Sequence, residues 1–277
     1  MTDLLLASEP LLRAGAFLTV LLIMVFWEIK AARRPQQIPR GKRWPANLSI
    51  VVLNTVVLRL AFPIAAVGAA VLASEQGWGV FNLVTVPFWV AVLASVLLLD
   101  LAIYLQHRMF HAVPWLWRLH RMHHADLEFD VTTGLRFHPL EILLSMAIKM
   151  AMVVLLGAPA VAVIVFEVLL NATAMFNHGN VRLPRAVDRH LRWFVVTPDM
   201  HRVHHSVIRA ETDSNFGFSL AWWDRLFGTY RAQPAGGHLG MTIGLDAFRD
   251  PGQLRLMRML AQPFTTPARH DPPPGRR

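Results

Sequence analysis

Three stretches of the chain, roughly residues 10–28, 47–73 and 83–106, are apolar over about the 20 residues an α-helix needs to cross a bilayer. In hydrocarbon every backbone N–H and C=O must be satisfied internally, so such stretches fold as helices packed side by side. A fourth apolar tract runs from Leu140 to Asn177 and is broken by Gly157-Ala-Pro159. It reads as a helical hairpin, residues 140–177, that enters and leaves on the same side. Composition agrees, with 54% hydrophobic and 16% charged residues. The expected fold is all-α and integral to the membrane, with about four transmembrane helices.

The first tract lacks a basic start, and Trp27-Glu28-Ile29-Lys30 is no small-residue cleavage site, so it reads as a retained anchor. After it come Lys30, Arg33, Arg34, Arg40, Lys42 and Arg43 against the single acidic Glu28. The positive-inside rule makes this loop cytoplasmic. The N-terminus and loop 74–82 are then outside, and the third tract delivers His107 to the cytoplasmic face. Everything from His178 onward is expected on that same face, where residues 178–277 carry 14 arginines against 8 acidic residues. Basic residues beside membrane segments suit anionic headgroups, and no nucleic-acid-binding signature accompanies the net charge of +9, so no nucleic-acid partner is expected.

The chain has no cysteine, which excludes disulfides, thiolate-ligated haem and cysteine-held iron–sulfur clusters. It also lacks a glycine-rich nucleotide fingerprint, so electrons for any redox chemistry come from outside. Three regions follow: a membrane anchor of three helices over 1–106, a histidine-rich region over 107–232 that includes the hairpin, and a C-terminal extension over 233–277. The extension ends in a Pro- and Arg-rich tail, QPFTTPARHDPPPGRR, with little to bury, which reads as disordered. Lys149 and Arg59 stand out as strong charges inside apolar tracts and are expected to snorkel or pair.

Of 13 histidines, most fall into helical sets. His107 and His111 are one turn apart at the inner end of the third tract. HRMHH at 120–124 and HRVHH at 201–205 repeat one pattern 81 positions apart, and the three-and-four spacing puts His120, His123 and His124 on one side of a helix, and His201, His204 and His205 likewise. His138 and His178 are single, yet the topology brings both to the same membrane face. His190, His238 and His270 read as packed or surface residues. Ten imidazoles exceed what one four-coordinate zinc uses, so two ions are implied. Imidazole suits zinc, copper, iron and nickel alike, and the Glu-x-x-His pairs of soluble di-iron bundles are absent. Asp100, Asp126, Glu141 and Asp199 are candidates to accept the rings' outer N–H groups. Their alternative is to cap helices or to pair with Arg108, Arg121, Arg136 or Arg202.

The strings DLAIYLQHRMFHAVPWLWRLHRMHHADLEFDVTTGLRFHPLE, FNHGNVRLP, TPDMHRVHHS and DSNFGFSLAWWDRLFGTY, covering about residues 96–232, resemble the sterol desaturase and fatty acid hydroxylase superfamily of membrane oxygenases. The resemblance implies a cytoplasmic helical cap holding a di-iron centre, with zinc possible in purified protein, and dioxygen as co-substrate. It further implies a lipid substrate taken from the bilayer, hydroxylated or desaturated. The electron donor is then a ferredoxin, a cytochrome or a flavoprotein reductase. It carries ligand roles onto His107, His111, His120, His123, His124, His138, His178, His201, His204 and His205. Asn215-Phe-Gly and the stretch Trp223–Thr229 resemble the family's C-terminal signature, expected to be a turn and aromatic anchor in which Asp224 and Arg225 pair. Trp115, Trp117, Trp193, Trp222 and Trp223 fit an interfacial belt. The rival expectation is a non-catalytic zinc-binding membrane protein whose histidines staple the cap. A metal transporter fits less well, since its ligands would run along a membrane path.

Overall fold

A computed structural model of the chain describes residues 2–266, so His270 and residues 267–277 of the tail lie outside the described residues, whereas its start, expected to be disordered, is ordered: Gln262–Phe264 form a helical turn whose carbonyls Arg118 and Arg121 bind. Among the described residues the fold is helical, with three isolated bridges and no strand. The helices that position the site are α1 (Thr2–Lys30), α2 (Arg40–Ala61), α3 (Ala65–Glu75), α4 (Val80–Leu83), α5 (Phe88–Ala112), α6 (Pro114–His124), α7 (Pro139–Leu156), α8 (Ala160–Asn177), α9 (Arg185–Leu191) and α10 (Pro198–His204). Five segments are long and apolar enough to cross a bilayer: Ser8–Lys30, Arg40–Leu83, Phe88–Ala112, Pro139–Leu156 and Ala160–Asn177. The protein is an integral membrane protein, and its outward apolar side chains, such as Leu22, Phe26, Val52, Leu60 and Trp89, are exposed where lipid would lie.

The hairpin consists of two full-length helices, which brings the apolar helices to five where about four were expected. Gly157 ends α7 in the left-handed conformation at φ 62°, and Pro159 then starts α8. A side chain at Gly157 would also meet Trp78 O and Asn82 Nδ2, so the turn after α3 docks on the hairpin bend. The tract 47–73 is not one helix. Its break falls at Phe62-Pro63, where proline has no N–H to continue the ladder. α3 then turns a face of Ala66, Ala69, Ala70 and Ala73 inward, near Val153, Leu156 and Ala158. Small residues allow such close approach where no hydrophobic drive favours helix over lipid.

α1, α5 and α8 end, and α2 and α7 begin, at one side of the bundle, where the backbone is held by buried ion pairs. Arg43 at the start of α2 donates to Asp126 at 2.7 and 2.8 Å and to Asp130 at 2.6 Å, all fully buried. Glu28 near the end of α1 accepts from Val131 N at 2.7 Å and Asn180 N at 2.9 Å. Charges removed from water are tolerated only when fully partnered, and here the partners tie the loop 125–136 to α1, α2 and the segment after α8.

Candidate metal centre

Proline and capping set the short helices that carry the histidines. α6 starts at Pro114, and α10 at Pro198 behind Thr197, whose hydroxyl caps Met200 N. Each residue advances a helix by about 100°, so adjacent histidines point to different places while residues four apart point nearly together. The two pentapeptides use this fork in opposite senses. His120 and His124 join His107, His111 and His204 in one group, site I; His201 and His205 join His123 and His178 in a second, site II. The first and last histidines of each motif serve one site and the fourth serves the other, which is why the pattern is written twice. Within each group one nitrogen per ring lies within 4.8 Å of all the others, and all nine residues are buried.

The outer nitrogens fix the protonation of the inner ones. His107 Nδ1 donates to Phe216 O at 2.8 Å, His204 Nδ1 to Ser214 O at 2.8 Å, and His178 Nδ1 to Ala174 O at 2.8 Å. A carbonyl can only accept, so these rings carry their proton on Nδ1 and present a bare lone pair at Nε2. His120 Nδ1 faces Glu141 Oε1 at 2.6 Å in the same way. Yet His107 Nε2 lies 3.1 Å from both His120 Nε2 and His204 Nε2. His178 Nε2 lies 3.1 Å from both His123 Nε2 and His201 Nε2. In site I those are lone pairs facing lone pairs, which repel unless a cation sits among them. Rings bound to one ion at about 2.0–2.1 Å leave such spacings. His111 Nε2, and both nitrogens of His124 and His205, are buried with no protein partner, a cost of about 1–3 kcal/mol each that coordination removes. The residues fit two metal ions.

Burial, then the neighbouring rings, holds His123, His124, His201, His204 and His205 well below the ordinary histidine range. Burial likewise pushes His178 down to about 3. These groups therefore stay neutral, the form that binds metal.

Several expected residues take other places. His138 is outside both groups: it caps α7, its Nδ1 accepting from Leu140 N at 3.2 Å while Nε2 faces Leu260 O at 3.3 Å. Of the four carboxylates expected around the rings, only Glu141 reaches one. Asp100 accepts from Trp223 Nε1 at 2.8 Å and Leu220 N at 3.2 Å. Asp126 belongs to the Arg43 lattice; burial pushes its carboxyl up, but Arg43 and Arg136 outweigh that and hold it well below the usual range. Asp199 pairs with Arg33 at 3.0 Å and with Arg202, and faces His238 at 3.5 Å. Asp224 and Arg225 do not pair. Asp224 accepts from Phe216 N, Gly217 N and Thr229 Oγ1, while Arg225 stacks on Trp193 and Tyr230 and donates to Arg192 O. Trp115, Trp193 and Trp222 are exposed as a belt requires, but Trp117 packs on His111 and His124, and Trp223 turns to Asp100. His190 is exposed, whereas His238 is buried. Lys149 pairs with Glu167 at 2.6 Å, and Glu167 also meets Arg13, two charges in apolar tracts beyond those expected.

Sequence reasoning missed the segment 213–216, which supplies three acceptors in succession to site I: Asp213 Oδ1 to His111 Nδ1 at 3.2 Å, Ser214 O to His204 and Phe216 O to His107. Asn215, in the left-handed region at φ 52°, bridges Met200 O and Arg231 O and so ties this turn to α10. Asn215-Phe-Gly thus shapes the outer wall of the site. A cavity of about 260 Å³ opens from His107, His120 and Glu141 and runs between α2, α5, α7 and α8 to Lys149, Glu167 and Arg13.

The fatty acid hydroxylase family model matches residues 92–229, the stretch holding all nine clustered histidines. Over 185 residues the chain is 29% identical to the ornithine lipid hydroxylase of Rhizobium tropici, covering 67% of this chain and 54% of that protein. It is 25% identical to the alkylglycerol monooxygenase of Xenopus tropicalis over 228 residues, 78% of this chain and 48% of that one. It is 25% identical to the human cholesterol 25-hydroxylase over 143 residues, 50% and 51% of the two. The chain spans about half the length of the curated relatives it matches, and no solved structure matches it. With the family match lying on the histidine sites, the chain belongs to the sterol desaturase and fatty acid hydroxylase superfamily.

Proposed function

We propose that the protein is a dioxygen-dependent lipid hydroxylase that holds two iron ions, one at each histidine site, and takes its substrate from the bilayer. The carrying observation is the ring of Nε2 lone pairs that meet at 3.1 Å in site I, with His107 and His120 opening onto a cavity between membrane helices. Nine buried imidazoles suit several metals, and the choice of iron rests on the chemistry: the relatives are named hydroxylases and monooxygenases. Bound there, iron would supply dioxygen activation and an oxidant for unreactive C–H bonds, which no side chain in the cavity offers.

The chain's own residues do the positioning. Glu141 orients His120 through Oε1. Phe110, Phe137 and Phe218 line the cavity beside the rings and keep water from the reacting carbon. The basic loop 30–43 supports a cytoplasmic location for both sites. An external ferredoxin, cytochrome or flavoprotein docks at the basin formed by Arg182, Arg185, Arg189 and Arg192, which opens beside Asp199 on the His201 helix.

Lipids extracted from cells expressing the protein under ¹⁸O₂ test the reading. One labelled oxygen is expected in a lipid class, absent from cells carrying His204→Ala. Two zinc ions per chain in membranes that take up no oxygen and change no lipid would instead support the non-catalytic staple.

A further inference from the structure

The cavity that meets site I is lined unevenly. On α7, Glu141, Ser145 and Lys149 follow one another at four-residue intervals and all face the cavity, a polar seam about 12 Å long on a membrane helix. Across from it stand Gln106, whose Nε2 donates to Ser145 Oγ at 2.9 Å, and Asn54, whose Nδ2 donates to Phe137 O at 2.9 Å. At the end away from the histidines Lys149 pairs with Glu167, which also meets Arg13, and Thr55 and Asn171 add polar groups, while the walls between are mostly apolar. Polar side chains in a membrane helix are costly and mark a ligand path.

The seam is short of donors next to the histidines. Asn54 Oδ1 and Glu141 Oε2 belong to residues 7% and 4% exposed, line the cavity and accept from no protein group. The orientation of Asn54 is settled, because its amide must donate to the Phe137 carbonyl. Gln106 Oε1 is unpartnered too. Bare hydrocarbon would leave these acceptors buried without a donor, which is unfavourable.

We infer that the cavity selects a lipid whose polar part carries hydrogen-bond donors, as hydroxyl or ammonium N–H, and that Asn54 and Glu141 receive them beside His107 and His120. The site is therefore built for oxidation in or next to a donor-bearing headgroup, not in the middle of an acyl chain. An amphiphile held so keeps its headgroup at the membrane surface, the level of the histidines. This rests on the reading of the chain as a lipid hydroxylase, and Asn54 is a specificity residue within it.

Binding to the purified, detergent-solubilised holoenzyme, measured anaerobically by displacement of a radiolabelled probe, tests this apart from turnover. Hexadecane-1,2-diol is expected to bind about tenfold or more tighter than 1,2-dimethoxyhexadecane, which keeps the chain and both oxygen acceptors and loses both donors. Hexadecylammonium against hexadecyltrimethylammonium asks the same of N–H donors at constant charge; preference for the donor in one pair alone names its source. Asn54→Ala should bring the favoured ratio to about twofold while leaving the methylated probe's affinity unchanged. Equal binding within both pairs, or an Asn54→Ala that weakens all probes alike, overturns the inference. Discrimination without oxygen incorporation would keep the inference and sink the hydroxylase reading; oxygen incorporation without discrimination would do the reverse.

Discussion

Sites I and II are built from the same motif but differ in how their rings are held. Site I has five histidines, and four of them have an outer acceptor: Phe216 O, Asp213, Glu141 and Ser214 O. Site II has four, and only His178 has one; the Nδ1 atoms of His123, His201 and His205 find no protein partner. Aromatic packing positions them instead. His123 lies flat against Phe137 at 4.5 Å and 10°, while His178 and His205 pack on Phe129. Two carboxylates adjoin site I and none adjoins site II. Outer hydrogen bonds orient a ring and raise its basicity, so on the proposed reading site I is expected to hold its ion more tightly and more rigidly, and of the two groups it alone meets the cavity, through His107 and His120.

The largest effect expected from this contrast is on metal content. His205→Ala leaves site II with three rings and should empty it, giving one ion per chain by elemental analysis. His111→Ala leaves site I with four, and two ions should remain. Activity should fall by at least about 100-fold in both, beyond the 10–100-fold that outer partners are worth. Equal metal loss in the two variants would break the comparison. Next in size is Asp213→Asn, which weakens the acceptor to His111, the one ring that Asp213 meets, and removes its half-exposed pair with Arg209. It should lower the affinity of site I by about 10–100-fold in a chelator titration and leave site II unchanged.

Acid gives a smaller, graded test. The clustered histidines outside the membrane helices have folded pKa values below the unfolded value, His178 at about 3. Folding and metal binding both need the neutral rings, so their contribution is complete above about pH 6.5. It is lost as pH falls from there toward 3, since protons then favour the unfolded, metal-free chain. Site II, with no carboxylate nearby, should release its ion at higher pH than site I. Metal retained after desalting across pH 7 to 4 would show two steps, and one shared step would count against the contrast.

The clustered histidines were legible because imidazole is a rare residue type with a chemical purpose, but helical spacing grouped each pentapeptide on one side, whereas His123 and His204 turn to the other group from their neighbours. What holds them was not. Ser214 and Phe216 act through backbone carbonyls, which every residue has, and Asp213 is 102 positions from His111. Asp100, Asp126 and Asp199 sit near histidines in sequence, but each had closer claims: an indole N–H, Arg43 and Arg33 respectively. The membrane helices were visible from hydropathy. The break between α2 and α3 was marked by Pro63, yet the apolar run across it concealed the end of a helix. Glu167 and Arg13 were hidden the same way, as single charges in long apolar tracts that only tertiary pairing explains.

His138 makes the smallest prediction and separates residue type from position. Its local sequence, His-Pro-Leu-Glu, has the form of a helix start, with a cap, proline in the first turn and an acid at the third position. The ring caps α7 and faces Leu260 O, so the C-terminal segment at Leu256–Phe264 packs on the start of the same helix that carries Glu141. His138→Ala should leave two ions bound and cost about 0.5–2 kcal/mol, the range for a lost cap, seen as a lower midpoint of thermal unfolding. His138→Asn, a good capping side chain, should recover most of that loss. Were His138 a ligand, Asn would not restore what Ala removes, and one ion would leave with either substitution; the capping role predicts the same metal content in all three proteins.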